Sequence, residues 1–156
     1  DVHNAHEALF NSEKLLRNIF DNVQVGVELY DREGYLVDLN NKDLEIFGLK
    51  KKEEVLGVNF FRNPLVPGEI RENVRNGQEQ AFKLDYHFNR LDGYYSSGKN
   101  GNVQIYTTVT MLYDMYGELI NFVLRLGFQF QQSVDVHSLS RGNMIDHNTI
   151  LNGFYV

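Results

Sequence analysis

Three groups of residues in this sequence have types that could do chemistry. They are five histidines, a bunch of acidic and amide side chains from Asp31 to Asn41, and the pair Glu53-Glu54. His3 and His6 stand three apart and would share one face of a helix, as two metal ligands could. No third ligand lies near them in sequence, so no metal site is assigned. His87 alternates with Lys83 and Asp85, which suits cross-strand pairing on a polar face. His137 and His147 fall in a polar tail where no geometry can be argued. Asn40 and Asn41 could touch a ligand, but Asn is among the best helix caps, and the cap is the expected role. Glu53 and Glu54 are neighbours on a lysine-rich stretch, point apart, and read as solvated surface. No G-x-S-x-G, P-loop, G-x-G-x-x-G or H-E-x-x-H occurs. A catalytic base would need burial or a charged partner, and the sequence supplies no sign of either, so no catalytic residue is expected.

The bulk properties close off further chemistry. The chain has no cysteine, which excludes disulfides, thiolate metal sites and thiol nucleophiles. With 42% hydrophobic residues among 156, the composition is that of one globular domain. The net charge of −6, without a basic cluster, speaks against a nucleic-acid partner. No apolar run approaches the roughly 18 residues of a membrane span. No signal peptide or Asn-x-Ser/Thr acceptor is present, so a cytoplasmic protein without direct membrane contact is expected. The chain starts at Asp1 rather than Met, which reads as a piece of a longer or processed protein.

Periodicity predicts the elements that would position these residues. Leu9, Leu15, Leu16, Ile19 and Phe20 have amphipathic helical spacing over residues 5–20, with a break at Asn11-Ser12. "VQVGVELY" alternates as a strand with Val23, Val25, Val27 and Leu29 on one face. "DREG" makes a turn, and "YLVDL" a second strand with Tyr35, Val37 and Leu39 on one side. Asn40 or Asn41 then caps a short helix that carries Leu44 and Phe47 on one face and stops at Gly48. Short helices follow at "KKKEEVLG", "VNFF" and "GEIRENVRNG", the last with Ile70 and Val74 on one face. The period then changes to two. Phe82, Leu84, Tyr86 and Phe88 line one face of a strand. "VQIYTTVTMLYD" is a strand covered on both faces, and "DMYG" a hairpin turn. The last strand alternates through Ile120, Phe122, Leu124, Leu126, Phe128 and Phe130. This order predicts an α+β fold with an antiparallel sheet. The organisation expected is a linker or dimerisation helix over 1–20, a folded domain over 21–130 and a polar extension over 131–156.

The stretch "NIFDNVQVGVELYDREGYLVDLNNKDLEIFGLKKKEEVLGVNFF" resembles a PAS domain of bacterial sensor histidine kinases. Asn40, Gly48, Glu54, Leu56 and Gly57 stand where that family places its helix entry, its glycine stop and an "EEVLG"-like turn. "LYDMYGELINFVL" is similar to the family's last hairpin, and the resemblance covers about residues 18–126. It implies a five-stranded antiparallel sheet with short helices packed on one face and an N-terminal amphipathic helix. It also implies a non-catalytic sensor of a two-component system that binds, dimerises and shifts between packings.

The resemblance implies a ligand pocket between the inner sheet face and the helices around residues 58–76, with Phe60, Phe61, Tyr86 and Phe88 as wall candidates. Few polar groups are placed to orient a ligand there, so the rings are expected chiefly to fill a core. No cofactor is expected. A flavin–Cys adduct and a Cys-linked chromophore are excluded for want of Cys, and the usual haem arrangement fails because residues 66–76 hold no His. The family's Asp-x-Thr-like signal for a C-terminal coupling helix is missing from "RLGFQFQQSVDVHSLSRG". His6-Glu7 resembles a phospho-accepting helix, but the downstream Pro is absent. The partners expected are an unidentified small molecule and a second copy of the chain. That copy would be held through Leu9, Leu15, Leu16, Ile19 and Phe20, although the same stripe could pack on its own sheet. The alternatives are a ligand-free interaction module, or a small enzyme with a cone-shaped sheet and Asp85 or His87 turned inward.

Overall fold

The structure, a computed structural model, describes residues 2–128. Helix α1 (Val2–Asn22) leads into strands β1 (Gly26–Asp31) and β2 (Leu36–Leu39) and helix α2 (Asn41–Phe47). Two 3-10 turns, Lys52–Glu54 and Phe60–Arg62, precede helix α3 (Gly68–Arg75). Strands β3 (Gln80–His87), β4 (Asn102–Tyr113) and β5 (Leu119–Gly127) follow. The sheet is antiparallel throughout, in the order β2-β1-β5-β4-β3. Its inner face meets α2, α3 and the turns between them around one core that includes Tyr30, Ile46, Phe60, Ile105 and Phe122. The α+β expectation and the helix order hold. The expected extension over 131–156, with His137 and His147, lies outside the described residues, as does Phe130.

Several local predictions are met. Asn40 caps α2: its Oδ1 accepts from the Asp43 N–H at 3.1 Å. Gly48 ends the helix in the left-handed region, φ 68°, where a Cβ would be strained. The "DREG" turn closes through the Gly34 N–H on the Asp31 carbonyl, and "DMYG" through Gly117 on Asp114. Leu84, Tyr86 and Phe88 are buried together, while Lys83 and Asp85 face water. Val74 is buried and Ile70 half-buried on one side of α3.

Four phase or boundary predictions are corrected. Helix α1 runs unbroken through Asn11 and Ser12, residues whose helix penalty is only some tenths of a kcal/mol. It also includes residue 22, and Val23 still donates to the Ile19 carbonyl, so Val23 is not in a strand. In β1 the inward residues are Gly26, Glu28 and Tyr30, while Val27 and Leu29 are only half-buried. The cause is α2, which lies against Gly26: a Cβ there would stand 2.8 Å from Asp43 Oδ1 and 3.0 Å from Ile46 Cδ1. Only a residue without a side chain lets the helix come so close. In β2 a register shift between Leu29 and Tyr30 buries Leu36 and Leu39 and turns Tyr35 and Val37 outward. In β5 the alternation holds at Phe122, Leu124 and Leu126, but Ile120 and Phe128 are 44% and 41% exposed. Ile120 sits beside the register shift at Leu112/Tyr113, and Phe128 lies past the end of the strand.

Candidate functional site

The inner face of the sheet does not close completely on α2 and α3. A cavity of about 40 Å³ remains, reached by side chains from β1, α2, β3, β4 and the loop after β3. Two carboxyls enter it, Glu28 from β1 and Asp43 from the first turn of α2, at 8% and 1% exposure. Four phenols surround them: Tyr30, Tyr86, Tyr94 and Tyr95. Phe47 and Phe60 and a shell of aliphatic residues complete the wall, and no Lys, Arg or His among the described residues lines it.

Each polar group is held by a definite local cause. Asp43 is placed by Asn40, whose carboxamide accepts from the Val27 N–H at 2.9 Å and donates to the Val25 carbonyl at 2.9 Å. One fully buried side chain thus caps α2 and fastens its start to β1. Glu28 accepts from the Tyr30 hydroxyl, two residues on along the same strand face, at 2.7 Å. The Tyr86 and Tyr95 hydroxyls bond each other at 2.7 Å, and the Tyr94 hydroxyl donates to the Asn59 carbonyl at 2.9 Å. The loop carrying Tyr94 and Tyr95 is pinned to the end of α2: Ser97 donates to the Phe47 carbonyl and Gly98 to the Gly48 carbonyl. Among the described residues no N–H or hydroxyl reaches the Asp43 carboxyl, which lies against Glu28 and bonds it when a proton is held between them; the Thr107 hydroxyl, 2% exposed on the cavity wall, has no partner.

Burial raises the Glu28 pKa, outweighing the hydrogen bonds that pull it down. Burial lifts Asp43 well above the usual carboxylate range, and the neighbouring Glu28 charge adds to the effect. The two carboxyls can hydrogen-bond each other only when one keeps a proton. Burial also raises all four phenols, so they remain hydrogen-bond donors at neutral pH. On the far side of Tyr94 lies an open hollow of about 380 Å³, and Tyr94 and Val58 stand in the walls of both spaces.

No family model and no curated protein matches this sequence. Solved structures do. The PAS domain of an HTR-like protein from Haloarcula marismortui superposes with a TM-score of 0.60 at 15% identity, covering 80% of this chain and 98% of that one. The fold is the PAS fold. A PAS domain from a two-component sensor histidine kinase matches with a TM-score of 0.54 at 13% identity, over 76% of this chain and 96% of that one. The RsLOV d2 variant reaches 0.61 at 17% identity, over 92% and 79%.

Within this PAS fold the predicted wall residues divide. Phe60 and Tyr86 line the cavity. Phe61 packs behind Phe60 and Phe122, with the Arg75 guanidinium 4.5 Å over its ring, and Phe88 packs behind Tyr86 at 5.2 Å. The expectation that few polar groups would converge here is overturned by Glu28, Asp43, Thr107 and the tyrosines. Glu28 and Asp43 are both buried, although the sequence carries no sign of a buried carboxylate. Asp85 and His87 keep to the other face of β3. Glu54 is exposed and accepts from the Lys50 and Lys51 N–H groups, which lower its pKa. No cluster of three His, Cys, Asp or Glu fit for a metal occurs among the described residues.

Helix α1 buries no residue. Leu9, Leu15, Leu16 and Ile19 are 55–62% exposed, and half-buried Phe20 lies under the Arg17 guanidinium. The stripe therefore does not pack on the sheet of its own chain. Arg17 fixes the helix to the domain by a 2.9 Å bond to Asp38, which also meets Lys52 at 3.2 Å. No helix among the described residues is long and apolar enough to cross a membrane.

Proposed function

We propose that this PAS-fold domain is a sensory module that takes a small ligand into the Glu28–Asp43 cavity and pairs with a second copy through α1. The carrying observation is the cavity itself, where the buried Asp43 carboxyl and Thr107 hydroxyl receive no donor from the backbone or from a basic side chain among the described residues. Such groups are costly to leave unsatisfied and are normally matched by protein, water or ligand. The α1 stripe supports the dimer. Val2, Leu9, Leu16 and Val23 recur every seven residues with Ala5, Ser12 and Ile19 between them, the seam of a two-stranded coiled coil. The domain acts by binding and a shift of packing rather than by chemistry, since a ligand moves such an equilibrium through its difference in affinity for two states. A two-component sensor kinase is the parent this reading favours, with a cytoplasmic location. It draws on the fold shared with the histidine-kinase PAS domain named above.

Native mass spectrometry of the purified protein tests both halves. A dimer carrying a small bound mass is expected. A bare dimer would leave the ligand-free interaction module, the reading that the small volume of the cavity favours. A bare monomer would overturn both.

A further inference from the structure

We infer that the ligand is a small protonated amine, its ammonium group set between Glu28 and Asp43 and its carbon skeleton against Tyr30, Tyr86 and Phe60. This deepens the sensor reading and rests on it. Four observations converge. Among the described residues the cavity receives two carboxyls and no basic side chain, so its charge is matched by a cation rather than an anion. Its carboxyls are short of donors: no N–H or O–H of the described residues reaches Asp43, and Glu28 receives the Tyr30 hydroxyl, while the Tyr86 and Tyr95 hydroxyls are taken up by each other and Tyr94 by the Asn59 carbonyl. An ammonium group brings three donors and no acceptor, the complement of that set. The remaining walls are aromatic rings and aliphatic chains, a surround that attracts an organic cation through the ring faces. The volume of about 40 Å³ holds roughly three water-sized positions, which suits an amine of about three or four heavy atoms.

A bare metal ion fits less well. Hard cations take six or more oxygen ligands, and no third Asp, Glu or His joins the pair among the described residues. Without an amine the pair is left to share a proton. Binding then exchanges cations: the amine enters as R–NH3⁺, a carboxyl proton leaves to solvent, and no covalent bond changes. The titratable groups facing the pair are Tyr30 from β1, Tyr86 from β3, and Tyr94 and Tyr95 from the following loop. β4 and β5 contribute Thr107, Leu124 and Leu126, which carry no charge.

The test is isothermal calorimetry of the whole chain with ethylammonium and ethanolammonium chloride, run in two buffers of different ionisation enthalpy, with ethanol and potassium chloride as controls. Saturable binding of the amines with proton release is expected, tighter at pH 7 than at pH 5. Glu28→Gln keeps an acceptor for Tyr30 and is expected to weaken binding by about tenfold or more, as is Asp43→Asn. The proton count needs only the unaltered protein, so a variant that fails to fold does not spoil the test. Ethanol binding as tightly as ethylammonium, or amine binding without proton release, overturns the amine assignment and leaves the sensor reading standing. Potassium binding in place of the amines does the same. No binding of any of these, together with a bare protein in native mass spectrometry, overturns both.

Discussion

Gly26 and Asp43 lie face to face across the junction of β1 and α2, so close that a methyl group at residue 26 would stand 2.8 Å from Asp43 Oδ1. The same methyl would meet Ile46 Cδ1 at 3.0 Å and the Leu126 carbonyl at 3.3 Å. The missing side chain thus sets how deep α2 sits, and with it how far Asp43 reaches into the cavity. Gly26→Ala is expected to destabilise the domain by about 1–3 kcal/mol, as overpacking of a tight core does. Urea denaturation reads this as a lower midpoint, and an unchanged midpoint would mean that α2 can rise without penalty.

The buried carboxyls give stability a pH dependence of definite sign. Below about pH 3 the folded and unfolded chains both hold these protons. As pH rises, the unfolded chain releases protons that Glu28 and Asp43 keep, because burial has raised both groups. Stability then falls by up to ~1.36 kcal/mol per pH unit for each retained proton, until the folded pair ionises. Asp38 acts in the opposite sense. Burial works to raise it, but bonds from Arg17, Lys52 and the Leu39 N–H outweigh that and lower it, so its contribution is lost as pH falls. The double variant Glu28→Gln/Asp43→Asn isolates the pair. Its advantage over the native chain in thermal melts should widen from pH 4 to pH 7, and parallel curves would refute the assignment.

Asn40 carries more than a cap. Its replacement by Ala removes the bond to Asp43 N–H and leaves the Val27 N–H and the Val25 carbonyl without that partner. A loss of about 2 kcal/mol or more is expected, above the roughly 1 kcal/mol of an ordinary cap. Amide hydrogen exchange at Val27 and Asp43 should quicken together. Exchange at Asp43 alone would show that the cap is separate from the strand.

The α1 seam has a simple test. Leu9→Glu with Leu16→Glu puts like charges along the helix without touching any buried residue. Sedimentation velocity should show a shift to monomer with the melting temperature of the folded domain nearly unchanged. A dimer that survives would place its interface elsewhere.

Much of the fold was legible because its punctuation is local. The Asn40 cap on Asp43, the Gly48 stop and the Asp114–Gly117 turn act on backbone groups within a few residues, so these roles can be read from spacing, whereas the bonds of Asn40 to Val25 and Val27 cannot. Leu84, Tyr86 and Phe88 were legible because polar residues alternate with them. The acid pair was not. Val27 and Leu29 give β1 a louder apolar phase than Gly26, Glu28 and Tyr30, and the approach of α2 to Gly26 reverses it. Asp43 stands three residues after a cap, where an acidic side chain is ordinary on any helix. The clue available was Gly26 itself, a glycine inside a strand, which marks a close approach of another element.

The Asn40 carboxamide also makes a mechanical linkage. It locks the first turn of α2 to the backbone of Val25 and Val27, and that backbone follows within a few residues of Asn22, where α1 ends. Asp43 rides on the same turn. The cavity carboxyl and the root of α1 are thus joined through the Asn40 carboxamide, with the Arg17–Asp38 bond as a second tie between α1 and the sheet. The helix is 21 residues long, so a small rotation at its root sweeps a wide arc at its far end.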